Sequence, residues 1–332
     1  MGVPSRVLSN QELSQIVDTS DEWIRTRTGI QERRIIDPSL GESNSSLSIL
    51  SSKNALVSAK MAPDEIDLVI CCTATPDTWM PITAARVIAG LGIKNCASFD
   101  LNAACSGYLT GLHVADSLIR SGAHKNILVI GADVFSSILD WTDRKTCVLF
   151  GDGAGAAVLS RVENANPETD SMILCSQLYT LPDTNEFLAI KSGGVGRTPF
   201  ENPIDSVSDS GNACDARPYV TMNGGEVFKA GSRGMAEAAK NLMATAKVDP
   251  SQIRWLVPHQ ANLRIIEMVA KLADFPMEKV YTNVDRWGNT SAATVAIALA
   301  EMSEKNLVQK GDLILLDVFG GGFTYGAMLL RW

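Results

Sequence analysis

The chain has 332 residues, 45% of them hydrophobic and 20% charged, an ordinary globular composition that excludes collagen-like, disordered and disulfide-stapled miniprotein architectures. With 29 basic against 37 acidic side chains the formal net charge is −8, which disfavours nucleic acid as a partner, because neutralising phosphates requires an excess of Lys and Arg on some face.

At roughly 150 residues per domain the length suggests about two units, and apolar runs alternate with helical stretches along it. Residues 67–73 (DLVICCT) form a continuous apolar run, as expected of a strand buried on both faces. Residues 83–91 read as a helix and 97–101 as a short strand. In 104–121 the apolar residues Leu109, Leu112, Ala115, Leu118 and Ile119 fall at helical spacing, and Ser121-Gly122 supplies a stop. Residues 126–131 (NILVIG) read as a second buried strand, 146–150 as another, and the glycine-rich segment from Phe150 as a turn into a further strand. Its G-x-G-x-G pattern lacks a following helix at the spacing a phosphate loop requires. Residues 181–218, rich in Gly, Pro, Ser, Asn and Asp, form a long loop or lid, and loops of that length in compact domains are usually functional. The rhythm then repeats: strand 253–258, helix 262–272, short strand 280–283, Ala-rich helix 291–304 and buried strand 313–319. This self-similarity suggests an internal duplication, with halves at 1–165 and 166–332.

The seven cysteines (71, 72, 96, 105, 147, 175 and 214) are odd in number and contain no CxxC pair. Structural zinc and a disulfide framework are therefore not expected, and no metal site is assigned. Reduced thiols fit a cytoplasmic enzyme. No apolar run of 18 residues is present, so no membrane span is expected, and the first residues lack the apolar core of a signal peptide.

Three residues attract chemical attention. Cys105 follows a short strand and opens a helix, where the positive end of the helix favours thiolate. Its small neighbours Ala103, Ala104, Ser106 and Gly107 allow a sharp elbow. The competing reading is a buried structural cysteine. His259, one of three histidines, stands at the carboxyl end of a strand, where open α/β sheets bind ligands. Asn289 stands at another strand-to-helix junction; taken alone it reads as a helix N-cap.

Together these segments resemble the β-ketoacyl-acyl-carrier-protein synthase III family of the thiolase superfamily. The matching stretches are DTSDEWIRTRTGIQERR (18–34), FDLNAACSGYLTGL (99–112), FGDGAGAAVL (150–159), VPHQANLRII (257–266), GNTSAA (288–293) and FGGGFTYG (319–326). The resemblance implies an α/β thiolase-like fold, two duplicated halves in five helix–sheet–helix–sheet–helix layers, paired as a homodimer. It implies Cys105 as nucleophile, His259 and Asn289 completing the triad, and the backbone N–H groups of Cys105 and Gly321 as oxyanion donors. The implied reaction condenses a short acyl-CoA with malonyl-acyl-carrier protein, with loss of CO2, to start type II fatty acid synthesis; coenzyme A enters as a substrate thioester and no resident cofactor is implied. By the same resemblance Trp23 and Arg144 sandwich adenine, Arg27 meets the phosphates, and Asn262 stands at the inner end of the pantetheine tunnel. Phe319 lies beside the nucleophile, and Lys229, Arg264 and Lys271 receive the acidic carrier protein. Scattered surface Lys and Arg, ordinary core packing of Phe319, and a buried Trp23 with a surface Arg144 are the alternatives for these residues.

The chain also departs from the family pattern. It begins where members already have a strand behind them, so the first sheet is expected to lack one strand or to fill its place irregularly. Met80 stands where some members place a Phe that plugs the partner's acyl tunnel. Because Met is flexible, primers longer than acetyl are expected, unless Phe135 sets the tunnel instead. The rival readings are a Cys-His-Asn condensing enzyme or acyltransferase of secondary metabolism, and a non-catalytic thioester-binding homologue, against which the intact triad speaks. A biosynthetic thiolase would carry a second cysteine in the C-terminal glycine loop, and a cysteine hydrolase would leave that loop unexplained.

Overall fold

The computed structural model describes residues 1–190 and 219–332; most of the segment read as a lid, 191–218, lies outside the described residues. A short antiparallel pair, β1 (Arg6–Ser9) and β2 (Glu32–Ile35), encloses α1 (Asn10–Leu13) and α2 (Asp21–Thr28). Next come α3 (Asn44–Ala59), β3 (Leu68–Cys72), α4 (Thr83–Leu91), β4 (Ala97–Leu101), α5 (Gly107–Arg120), β5 (Asn126–Val134) and β6 (Asp152–Ser160). The four strands β3 to β6 form a sheet in the order β4-β3-β5-β6, with only β6 antiparallel to its neighbour.

The second part contains β7 (Met172–Thr180), a small pair β8 (Leu188–Ile190) and β9 (Val220–Met222), and α6 (Gly224–Ala246). It continues through β10 (Trp255–Pro258), α7 (Leu263–Leu272), α8 (Val284–Trp287), α9 (Thr294–Glu304), β11 (Leu313–Gly320) and β12 (Thr324–Arg331). Its sheet runs β10-β11-β12-β7. Helices α3 and α4 cover the outer face of the first sheet, α5 and α9 lie between the two sheets, and α6 and α7 cover the outer face of the second. The layers are therefore helix, sheet, helix, sheet, helix.

The sequence explains the order. All nine residues of β5 are buried, as befits a strand covered on both faces. Between the sheets Leu68 and Ile70 of the first meet Ile314 and Leu316 of the second through Leu109 and Val295 of the central helices. Each such side chain contributes roughly 1.5–3 kcal/mol on full burial. Gly153 and Gly155 belong to β6 rather than to a turn, because a Cβ on Gly155 would stand 2.5 Å from that of Ala296. The glycine run is there to let α9 lie against the strand.

Several matching positions of the two halves share one offset (247 − 60 = 291 − 104 = 187). Lys60 and Lys247 both end helices in the left-handed region, with φ of 53° and 55°. Ala104 and Ser291 both enter 3-10 turns with φ of 48° and 51°. Asn102 and Asn289 each accept, through Oδ1, the N–H two residues on, at 3.1 and 2.9 Å. The duplication is thus real in register, and it pairs Asn289 with Asn102.

The second sheet carries β7 along the whole of β12, whereas among the described residues the matching flank of β6 holds only a single bridge between Gly2 and Ala154. The expected irregular filling of that place is what is found. Two strand expectations fail. Residues 146–149 are turns held by Asp143, and Phe150 makes an isolated bridge with Asn289 outside either sheet. The fully buried Arg33 donates to Val148 O at 2.8 Å there, occupying backbone a ladder would need. Of 280–283 only Val280 pairs, with Leu256. Among the described residues no helix is long and apolar enough to cross a membrane.

Candidate active site

The turn Ala104–Ser106 places Cys105 where the carboxyl ends of both sheets meet. Cys105 is 7% exposed and lines two cavities, one of about 590 Å³ and one of about 340 Å³. Gly320 presses against the turn, since a Cβ there would lie 2.7 Å from the Cys105 nitrogen. Only glycine admits so close an approach, which brings the Gly321 N–H, like that of Cys105 itself, toward the sulfur. Burial pushes the thiol up to about 11, against the lowering pull of the Ser291 hydroxyl and those two N–H groups. The thiolate-favouring field expected of the helix start is therefore outweighed by desolvation in the resting site.

His259 follows β10. Its backbone N–H donates to Asp317 O at 2.7 Å, and the fully buried Gln260 beside it is clamped to Pro258 O, Tyr281 O and the Asn283 N–H. The ring Nδ1 lies 2.7 Å from the Thr294 hydroxyl. Burial lowers the imidazole pKa to about 3, so the ring is neutral across the working pH range. Asn289 is held by backbone bonds to Leu149 O and from Gly151 N, and its Oδ1 is taken by the Ser291 N–H. That orientation turns the amide NH2 toward the larger cavity, which Cys105, His259 and Asn289 all line. The helix N-cap alternative does not describe Asn289, because its side chain closes a turn before α9 begins at Thr294.

Ser291 links all three. Its N–H fixes Asn289, its Oγ lies 3.4 Å from Cys105 Sγ, and its carbonyl accepts from Thr294 Oγ1 at 3.0 Å. Beneath it the buried Asp133 accepts from the Ala292, Ala74 and Thr75 N–H groups and from the Thr75 hydroxyl. These bonds tie the Cys105 and Asn289 loops into one rigid block. The sequence reading passed over Ser291, Thr294, Asp133 and Gln260; only the closeness of Ser291 and Thr294 to Asn289 hinted at the first two.

Of the other candidates, Arg27, Asn262, Phe319, Lys229 and Arg264 line the larger cavity. Asn262 spends its Oδ1 on capping α7, leaving its NH2 for the cavity. Phe319 packs on Phe323 with ring centroids 4.8 Å apart. Trp23 is half-buried, with the guanidinium groups of Arg27 and Arg144 at 4.5 and 5.1 Å from its ring centroid. Lys229 pairs with Glu226, Arg264 stands 5.9 Å from the ring centroid of Phe228, and Lys271 is exposed at the end of α7. Met80 is 86% exposed and does not line the cavities of its own chain. Trp79 and Phe135 line the smaller one, Phe135 stacked on Phe150 at 4.5 Å.

The thiol's raised pKa has a direct consequence. Alkylation of Cys105 by iodoacetamide, followed on its tryptic peptide, should quicken about tenfold per pH unit between pH 7 and 10, as thiolate is released. A plateau below pH 9 would show the resting thiol to be already ionised.

Two family models match the chain: 3-oxoacyl-[acyl-carrier-protein (ACP)] synthase III over residues 99–180 and its C-terminal counterpart over 243–332. The beta-ketoacyl-[acyl-carrier-protein] synthase III of Roseiflexus sp. (strain RS-1) is 47% identical over 332 residues, covering 100% of this chain and 96% of the relative. The crystal structure of 3-oxoacyl-[acyl-carrier-protein] synthase III from Aquifex aeolicus VF5 superposes with a TM-score of 0.87 at 43% identity, covering 99% of this chain and 97% of that one. The priming β-ketosynthase of the R1128 polyketide biosynthetic pathway superposes with a TM-score of 0.86 at 31% identity, covering 99% and 93%.

Proposed function

The chain belongs to the 3-oxoacyl-[acyl-carrier-protein] synthase III family of acyltransferase-type condensing enzymes with a thiolase-like fold, and from that premise we propose that Cys105, His259 and Asn289 carry its reaction. The enzyme condenses an acyl thioester with a malonyl thioester to initiate type II fatty acid synthesis. The observation that carries the residue assignment is a single cavity lined by a thiol and by two neutral side chains whose cavity-facing nitrogens have no protein partner among the described residues.

The sequence of steps follows from those groups. Cys105 sulfur attacks the acyl-CoA carbonyl; the oxyanion rests on the N–H groups of Cys105 and Gly321; coenzyme A leaves and takes the thiol proton. Malonyl-acyl-carrier protein then enters. Loss of CO2 leaves an enolate whose oxygen accepts hydrogen bonds from His259 and Asn289. A neutral ring suits this step, since the malonyl carboxylate must depart uncharged as CO2 and a nearby cation would hold it back. The enolate carbon attacks the Cys105 thioester, a carbon–carbon bond forms, and the released thiolate regains a proton from water.

Trp23 and Arg144 take the adenine of coenzyme A, with Arg144 moving outward to open the 5.1 Å gap, and Arg27 meets the phosphates. Asn262 holds the pantetheine arm through its free NH2, and Phe319 shapes the cavity beside the sulfur. Lys229, Arg264 and Lys271 provide the rim for the acidic carrier protein. The protein works in the cytoplasm, as thiol chemistry in a reducing compartment requires. Mixing the protein with acetyl-CoA and malonyl-acyl-carrier protein should yield the 3-oxoacyl-carrier product by mass; no product with any short acyl-CoA would refute the reading.

A homodimer is supported by the free edge of β4 and by the exposed apolar Trp79 and Met80. In that pairing Met80 enters the partner's acyl tunnel. Moving Met off its preferred rotamer costs about 1 kcal/mol, whereas each buried methylene gains about 0.8 kcal/mol. Butyryl- and octanoyl-CoA should therefore be accepted, and Met80→Phe should shift kcat/KM toward acetyl-CoA. An unchanged ratio, or a monomer in sedimentation equilibrium, would remove Met80 from the site and leave Phe135 to set the length.

A further inference from the structure

The Thr294 hydroxyl has one proton and two acceptors within reach, the Ser291 carbonyl at 3.0 Å and His259 Nδ1 at 2.7 Å. Which one receives it decides the imidazole tautomer. If the proton went to Ser291, Nδ1 would have to carry the ring proton, leaving Nε2 a bare lone pair facing the cavity. If it goes to Nδ1, the ring proton sits on Nε2 and the ring presents a donor. We propose that Thr294 donates to Nδ1, fixing His259 with its proton on Nε2, and so acts as a positioning residue for the decarboxylation step.

Three observations support this. The contact to nitrogen is the shorter of the two, and imidazole nitrogen is a stronger acceptor than an amide carbonyl. The ring is buried, with no other polar partner for Nδ1 among the described residues, so this one hydroxyl decides the matter. The repeat supplies an internal comparison. The counterpart of His259 in the first half is Cys72, and the counterpart of Thr294 is Gly107, whose Cβ position lies 3.3 Å from that of Cys72. The two positions are neighbours in both halves, and a side chain with a hydroxyl is present only in the half that has a ring to orient. This proposal rests on the condensation reading for its kinetic consequence, not for the tautomer itself.

Selective 15N labelling of imidazoles tests it, because only three histidines need assigning. At pH 7 the His259 resonances should be those of a neutral ring protonated on Nε2. In Thr294→Val they should move toward a mixture of tautomers, and malonyl decarboxylation should fall about tenfold, the worth of one hydrogen bond of this kind, while self-acylation of Cys105 by acetyl-CoA is retained. Thr294→Ser should keep both the tautomer and the rate. A proton on Nδ1 in the unsubstituted protein overturns the proposal, as does an equal loss of both half-reactions in Thr294→Val or an unaltered tautomer there. If instead the unsubstituted protein neither self-acylates nor decarboxylates, the condensation reading fails while the tautomer result stands.

Discussion

Cys105→Ala should carry no acyl mass after incubation with acetyl-CoA and should lose condensation by on the order of a thousandfold or more, as expected when a covalent route is removed. Among the described cysteines only Cys105 lines the two cavities at the site. Cys71, Cys72 and Cys147 are completely buried within the fold, and burial raises the pKa of each. Decarboxylation of a malonyl thioester should survive in this variant, because His259 and Asn289 are held by Thr294, Gln260, Leu149 and Ser291 rather than by the sulfur. Intact-mass spectrometry and release of CO2 measure the two effects separately. Acyl mass on another cysteine, with condensation retained, would show that the nucleophile is misassigned.

The complementary variants are His259→Ala and Asn289→Ala. Each removes one donor to the enolate oxygen, and donors of this kind contribute about 2.7–4 kcal/mol, a loss of roughly a hundredfold to a thousandfold in rate. Self-acylation should fall far less, because the oxyanion of that step rests on backbone N–H groups held by the Gly320 contact. The Asn289 variant carries a smaller acylation penalty of its own, since the Ser291 N–H loses its acceptor. Equal losses in the two half-reactions would mean that these side chains serve the thiol, and the enolate assignment would be wrong.

The parts of the fold legible in the sequence are those whose burial is uniform or whose helical face is distinct. Strands β3, β5, β10 and β11 are largely apolar runs, and α4, α5, α7 and α9 show apolar spacing. Helix α3 was illegible because half of its buried residues are Ser48, Ser51 and Ser52, with their hydroxyls turned back onto Ser48 O or Asn44 Oδ1. Small polar residues that satisfy themselves on their own helix look solvent-facing in a sequence. Strand β7 escaped for a different reason: its residues are only partly buried and show no clean alternation. The site divides similarly. Cys105, His259 and Asn289 were visible because each stands at a strand or helix junction. Ser291 and Thr294 act through a left-handed turn and a backbone carbonyl, which no pattern of residue types encodes.

The positions that share an offset divide the site between the two halves. Asn102, Ala292 and Cys72 occupy the places that Asn289, Cys105 and His259 hold in the other half. On the proposed assignment the first copy carries the nucleophile and the second the electrostatic partners of the enolate. Such a division of labour leaves neither half with a complete centre of its own. It also lets selection adjust acyl capture through the first copy and enolate formation through the second, without the trade-off that a single shared set of residues would impose.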